Sequence, residues 1–134
     1  MAGGNGIYKR PRPCFVYLIA ETDKGGAAVP PCKVGVAFAP HKRLASLQCG
    51  NPRRLVIVKT WKLPSEAVAR CVEDVALSNL PRKSLSSDGW FGEWTFGDPD
   101  RSARLIGVIA MHLPPEWRSD GDPIDVLPEK VCFQ

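Results

Sequence analysis

Two short runs rich in β-branched and aromatic residues, Phe15-Val-Tyr-Leu-Ile-Ala20 and Lys33-Val-Gly-Val-Ala37, flank a connection that holds Gly25-Gly26 and Pro30-Pro31. The second run leads into His41-Lys-Arg-Leu-Ala-Ser-Leu-Gln48, a segment of helical periodicity. Glycine and proline pairs break regular structure, so the runs read as two strands of a hairpin joined by a long polar connection over 21–31. Pro40 suits the first helical position, and Gly50 with Pro52 marks the end, which predicts a helix over 40–49 with Leu44 and Leu47 toward the core.

Further along, Arg54-Leu-Val-Ile-Val-Lys-Thr-Trp61 reads as a third strand. Pro64-Ser65 opens a longer helix to about Leu80, whose apolar positions Val68, Cys71, Val72 and Val75 recur at helical spacing. Residues 81–97 read as a polar loop ending in the aromatic cluster Trp90 to Phe96. Asp98-Pro99 starts another helix through Met111. The expected fold class is therefore α+β, a small three-stranded antiparallel sheet flanked by helices in the order β-β-α-β-α(-α). Residues 1–13 read as a flexible basic arm, 14–113 as the folded domain and 114–134 as an acidic irregular tail.

At 134 residues and 44% hydrophobic, the chain can bury one core. No apolar run approaches the ~18 residues that suggest a membrane span, and the N-terminus lacks a signal-peptide pattern, so a cytoplasmic protein away from membranes is expected. The cysteines at 14, 32, 49, 71 and 132 form no Cys-x-x-Cys pair and there are 2 histidines, which argues against a zinc site and for reduced structural thiols. Charge is segregated. Residues 1–62 hold 11 Lys/Arg against 2 acidic residues, a net of +9, whereas 63–134 hold 7 against 12, a net of −5. A cationic half of this kind favours a polyanionic partner, and the acidic half a metal or a protein.

Val16-Tyr17-Leu18, Lys33-Val34-Gly35, Arg43 and Glu73 occur in the order that marks the GIY-YIG endonuclease superfamily, which the chain resembles over roughly residues 14–97. The likeness is closest to a small stand-alone branch with a Lys-Ile-Gly form of the second motif. It extends to Arg43-Leu-Ala-Ser-Leu-Gln-Cys-Gly-Asn-Pro52 and Gly92-Glu93-Trp94. The literal Gly6-Ile7-Tyr8 runs into Lys-Arg-Pro-Arg-Pro and makes no strand, so Tyr17 is read as the first-motif tyrosine.

The resemblance implies a metal-dependent endonuclease that hydrolyses phosphodiester bonds, with DNA favoured over RNA. In that reading Tyr17 activates water, Lys33 and Arg43 stabilise the phosphate, and Glu73 holds a single Mg²⁺ or Mn²⁺. Each residue also has a plain structural reading. Tyr17 could be core, Lys33 an edge-strand lysine, Arg43 a surface arginine and Glu73 half of an ion pair. His41, Lys42, Arg53 and Arg54 are candidate nucleic-acid contacts. The histidine that many relatives carry four residues after the arginine is here Leu47. Two rivals therefore stand beside the enzyme: an inactive nucleic-acid-binding module and a partner-regulated subunit. With no reader module in the sequence, specificity would come from loops, a homodimer or another protein.

Overall fold

A computed structural model describes residues 12–81 and 94–117. Four strands and three helices follow in the order β1 (Cys14–Thr22), β2 (Ala28–Ala37), α1 (Pro40–Gln48), β3 (Leu55–Leu63), α2 (Glu66–Asn79), β4 (Trp94–Thr95) and α3 (Pro99–Met111), with a 3₁₀ turn at Pro115–Trp117. The sheet has the order β3-β1-β2-β4, and each adjacent pair is antiparallel. The α+β class holds, but the sheet has four strands, not the expected three. The extra strand is two residues long, too short to show periodicity, and it pairs Trp94 with Lys33 and Thr95 with Cys32.

The hairpin also differs from expectation. β2 begins at Ala28, not Lys33, so the connection is a tight turn over Asp23–Ala27. The Asp23 carboxylate accepts from the backbone N–H groups of Gly25 and Ala27 at 2.8 and 2.9 Å, and Gly26 takes φ 87°. Such a positive φ favours glycine. Pro30 and Pro31 fall where the register jumps from Ala20↔Cys32 to Glu21↔Val29. Proline has no N–H to contribute to a ladder, and a bulge is where a strand tolerates it.

Capping fixes the helices where the sequence places them. Ser65 accepts from Val68 N–H at 3.3 Å to open α2, and Asp98 accepts from Arg101 N–H at 3.0 Å to open α3. The buried side of α2 matches the expected set only in part: Val72 is fully buried and Val68 packs against the core, but Cys71 and Val75 do not face inward. Cys71 is exposed and Val75 is 46% exposed, while Ala69, Val72, Glu73 and Ala76 face inward. Both sets have helical spacing. Val72 belongs to both sets, and the small side chains of Ala69 and Ala76 share the inward face with it, while Val75 falls outside.

Period-two alternation divides the sheet into two faces. Cys14, Val16, Leu18 and Ala20 of β1, with Cys32 and Val34 of β2, pack under α2 and α3 in the larger core, which includes Trp61 and Ile106. Tyr17 and Ile19 point the other way, into a smaller cluster with Leu44, Leu55 and Ile57, flanked by Leu47 of α1 and by Trp94. The expected inward placement of Leu44 and Leu47 is met. Residues 118–134, most of the basic arm, and the segment with Trp90, Gly92 and Glu93 lie outside the described residues.

Candidate functional site

Tyr17 lies on the central strand, opposite Gly35 on one side and Thr60 on the other. Directly paired residues share a face, so Gly35 lies on the α1 face with the phenol, and Lys33, two residues earlier, shares that face. Tyr17 is 1% exposed and Lys33 9%. A Cβ at position 35 would overlap the Tyr17 ring and hydroxyl, coming within 2.9 Å of Cε2. The glycine is thus a seat for the tyrosine: only bare backbone lets the phenol lie flat across β2. Lys33 points its ammonium toward the Trp94 ring, 5.8 Å from the centroid, within reach of the ring's negative face.

Charged side chains are seldom this buried, because losing hydration is costly unless polar partners compensate. Lys33, Tyr17 and Glu73 are each engaged within the molecule. The strand-edge reading of Lys33 as an exposed solubilising residue is therefore set aside. The lysine is buried on the strand next to the tyrosine.

Arg43 and the other α1 cations occupy a different position. His41, Lys42 and Arg43 are all exposed in the first half of α1. The Arg43 N–H donates to Ala39 O at 3.1 Å, placing the residue in the turn where helix N-termini attract anions. Arg53 and Arg54 are exposed on the loop that follows α1, with Arg53 Nη1 3.1 Å from Glu21 Oε1.

Glu73 approaches from the opposite layer. It is 6% exposed on α2, which packs on the far face of the sheet. The charges of Glu66 and Arg70, in the first turns of α2, act on the Cys14 thiol at the sheet end where Phe15 pairs with Ala37. Beyond the C-terminal end of α2, Pro81 O accepts from Phe96 N–H at 3.0 Å, beside the Thr95–Cys32 pair. Helix α2 packs across β1 and β2, and Glu73, midway along it, is among its inward-facing residues. Since β4 ends at the Cys32–Lys33 pairing, the outer edge of β2 from Val34 to Ala37 has no strand partner among the described residues.

Among the described residues no three His, Cys, Asp or Glu side chains converge as a metal-ligand set. A single carboxylate suits only a hard divalent ion whose remaining shell is water and phosphate oxygen.

The Arg-Leu-x-x-Leu-Gln-x-Gly-Asn-Pro segment is explained by structure more than by chemistry. Gln48 Nε2 donates to Asn51 O and Arg53 O at 3.3 and 2.8 Å, while its Oε1 accepts from Leu55 N–H at 2.7 Å. Asn51 Oδ1 accepts from Arg53 N–H at 2.9 Å, and Gly50 takes φ 80°. This latch fixes the α1–β3 loop and the arginines it carries. Sequence reasoning overlooked it, although a glutamine next to Gly-Asn-Pro carries the right donors and acceptors. It also overlooked Trp94 as the partner of Lys33.

The sequence matches no known family model, and no solved structure matches the chain. It is 29% identical over 114 residues to a tRNA(Ile)-lysidine synthase from Ruegeria pomeroyi. That similarity takes in 77% of this chain but only 24% of the length of the curated relative. No helix among the described residues is long and apolar enough to cross a membrane.

Proposed function

We propose that this chain is a GIY-YIG-type nuclease domain that hydrolyses nucleic-acid phosphodiester bonds, DNA by preference. The observation that carries the reading is the Tyr17–Gly35–Lys33 arrangement, a phenol seated on bare backbone beside a buried cation. A sheet core needs neither polar group, and their desolvation is a cost that packing alone does not call for. The strand order β3-β1-β2-β4 puts β1 between β2 and β3, with the arginine helix on one face of the sheet and the glutamate helix on the other.

In this mechanism the reacting phosphate approaches along the outer edge of β2 from Val34 to Ala37, which no strand among the described residues covers. Tyr17 accepts the proton of the attacking water. The cationic field of Lys33 favours the phenolate and offsets charge on the phosphate. Arg43, at the N-terminal end of α1, holds a non-bridging oxygen with its planar fork as charge builds there. Glu73 would hold a single Mg²⁺ or Mn²⁺, which when bound supplies Lewis-acid stabilisation to the leaving oxygen. Lys42, Arg53, Arg54 and His41 contribute backbone contacts.

The test is Mg²⁺-dependent nicking of plasmid DNA by Glu73→Ala and Arg43→Ala. Both should lose cleavage while keeping the wild-type circular dichroism spectrum; activity retained in both would sink the assignment. A second reading, nucleic-acid binding without turnover, draws on Leu47 at the family's histidine position and on the similarity to part of a protein named for tRNA(Ile). It calls for binding to DNA or tRNA that weakens steeply with salt, with no cleavage in Mg²⁺ or Mn²⁺.

A further inference from the structure

A cavity of about 550 Å³ opens on the β3 side of α1, between that helix and the latched loop. Its floor is Leu44 and Leu55, two members of the cluster that also holds Tyr17. Ala45 and Gln48 form the helix wall, and His41 and Arg54 stand at the rim. The volume falls within the ~300–1,000 Å³ typical of ligand pockets.

We infer that this cavity takes one unstacked nucleobase of the nucleic acid whose backbone crosses α1, an inference that rests on the nuclease-domain reading above. Three features lead to a base and not to an apolar side chain of a protein. First, the pocket is apolar and open on one side, as a base face requires, and a histidine and an arginine stand at its mouth, both of which can stack on bases. Second, its surroundings are cationic: Lys42, Arg43 and Arg53 are exposed on the same helix and loop, where a phosphate backbone carrying that base would run. Third, the wall is braced before any ligand arrives. Gln48 makes three hydrogen bonds to the loop backbone, and Arg54 O accepts from both the N–H and the hydroxyl of Thr22 at 3.0 Å. Because the Gln48 amide already serves the loop, it has little capacity left to read base edges. The pocket therefore accepts a base by stacking and shape, with little discrimination among the four.

Such a pocket gives the domain a preference for substrates with an unpaired base across α1 from the cleavage position, such as single strands, flaps and junctions. Intact duplex is disfavoured because a base must first leave the stack.

Binding measured in EDTA separates this inference from catalysis. The probe is a single-stranded oligonucleotide carrying one 2-aminopurine, whose fluorescence reports stacking, titrated into the full chain. Ala45→Trp fills the cavity from an exposed helix position that tolerates a large side chain. It should weaken binding by about tenfold, the value of roughly one stacked base. It should also remove the 2-aminopurine response, with the thermal midpoint unchanged. Arg54→Ala should weaken the response without filling the cavity. Equal affinity of Ala45→Trp and wild type for the probe would overturn the inference, as would failure of the chain to bind any oligonucleotide. Loss of cleavage readings with a pocket-dependent response intact would overturn the nuclease assignment alone. Glu73-dependent cleavage with an indifferent Ala45→Trp would overturn the pocket alone.

Discussion

The two faces of the sheet are built on different rules. Under α2 and α3, β1 and β2 present Cys14, Val16, Leu18, Cys32 and Val34 to Trp61, Val72, Ile106 and small helix residues, all nearly or fully buried. Under α1, the same strands present Tyr17, Lys33 and Gly35 to a shorter helix and a two-residue edge strand. One face holds the fold through apolar area removed from water. The other holds polar groups at positions where apolar residues would serve stability better. On β1, Tyr17 turns toward α1 between Val16 and Leu18, which face the two-helix core. Ile19 keeps the α1 face partly apolar, and Glu73 brings one carboxylate to the other face.

The contrast can be broken most strongly on the helical face. Trp61→Ala should destabilise the chain by about 3–5 kcal/mol in urea denaturation, because it removes the largest fully buried side chain and leaves a cavity. A loss well below that would show that the two-helix face is not the main source of stability.

On the α1 face the expected effects are smaller for folding and larger for chemistry. Gly35→Ala should cost about 1–3 kcal/mol because the new methyl drives into the Tyr17 ring. Its cleavage rate should fall further than that instability explains, and Tyr17→Phe should lose cleavage with little change in the denaturation midpoint. Equal losses of stability and activity in both variants would erase the distinction between the faces. Gln48→Ala removes the loop latch and should cost about 1–3 kcal/mol, since the freed backbone groups lose their partner. Thermal unfolding of this variant, compared with Gly35→Ala, sharpens how much of the α1 face is held by the loop.

The last effect, absent at neutral pH, is a pH dependence on the helical face. Burial, with a smaller contribution from the Asp98 charge, pushes the Cys32 thiol from 9.0 up to about 12. The folded protein therefore holds that proton more tightly than the unfolded chain. The corresponding stability is complete below pH 9.0 and is lost as the pH rises toward about 12. Cys32→Ala should flatten that part of the alkaline denaturation profile. The burial-raised Cys14 thiol contributes in the same direction, while exposed Cys49 and Cys71 should alkylate readily in the native protein.

Much of the scaffold was legible in the sequence because local chemistry settles it: Ser65, Asp98 and Pro40 start helices, and Gly50 ends one. What was not legible depends on long-range packing. The short β4 acquires its identity only by pairing with β2, and which of two overlapping stripes of α2 turns inward is chosen by its packing on the sheet. At the candidate site, Tyr17 with Gly35 could be anticipated from strand alternation. Lys33 against Trp94 could not, since 61 positions separate them and no spacing rule joins them.

Placing β1 at the centre of the sheet has a consequence for biosynthesis. Cys14 pairs with Leu63, so the strand made first waits for about fifty further residues before both of its edges are satisfied. Until β3 emerges, the apolar run from Phe15 to Ala20 pairs on one side with β2 and offers the other to any passing strand. Substitutions that slow or weaken Leu55–Leu63 should therefore appear first as poor soluble yield, before any defect is visible in the purified protein.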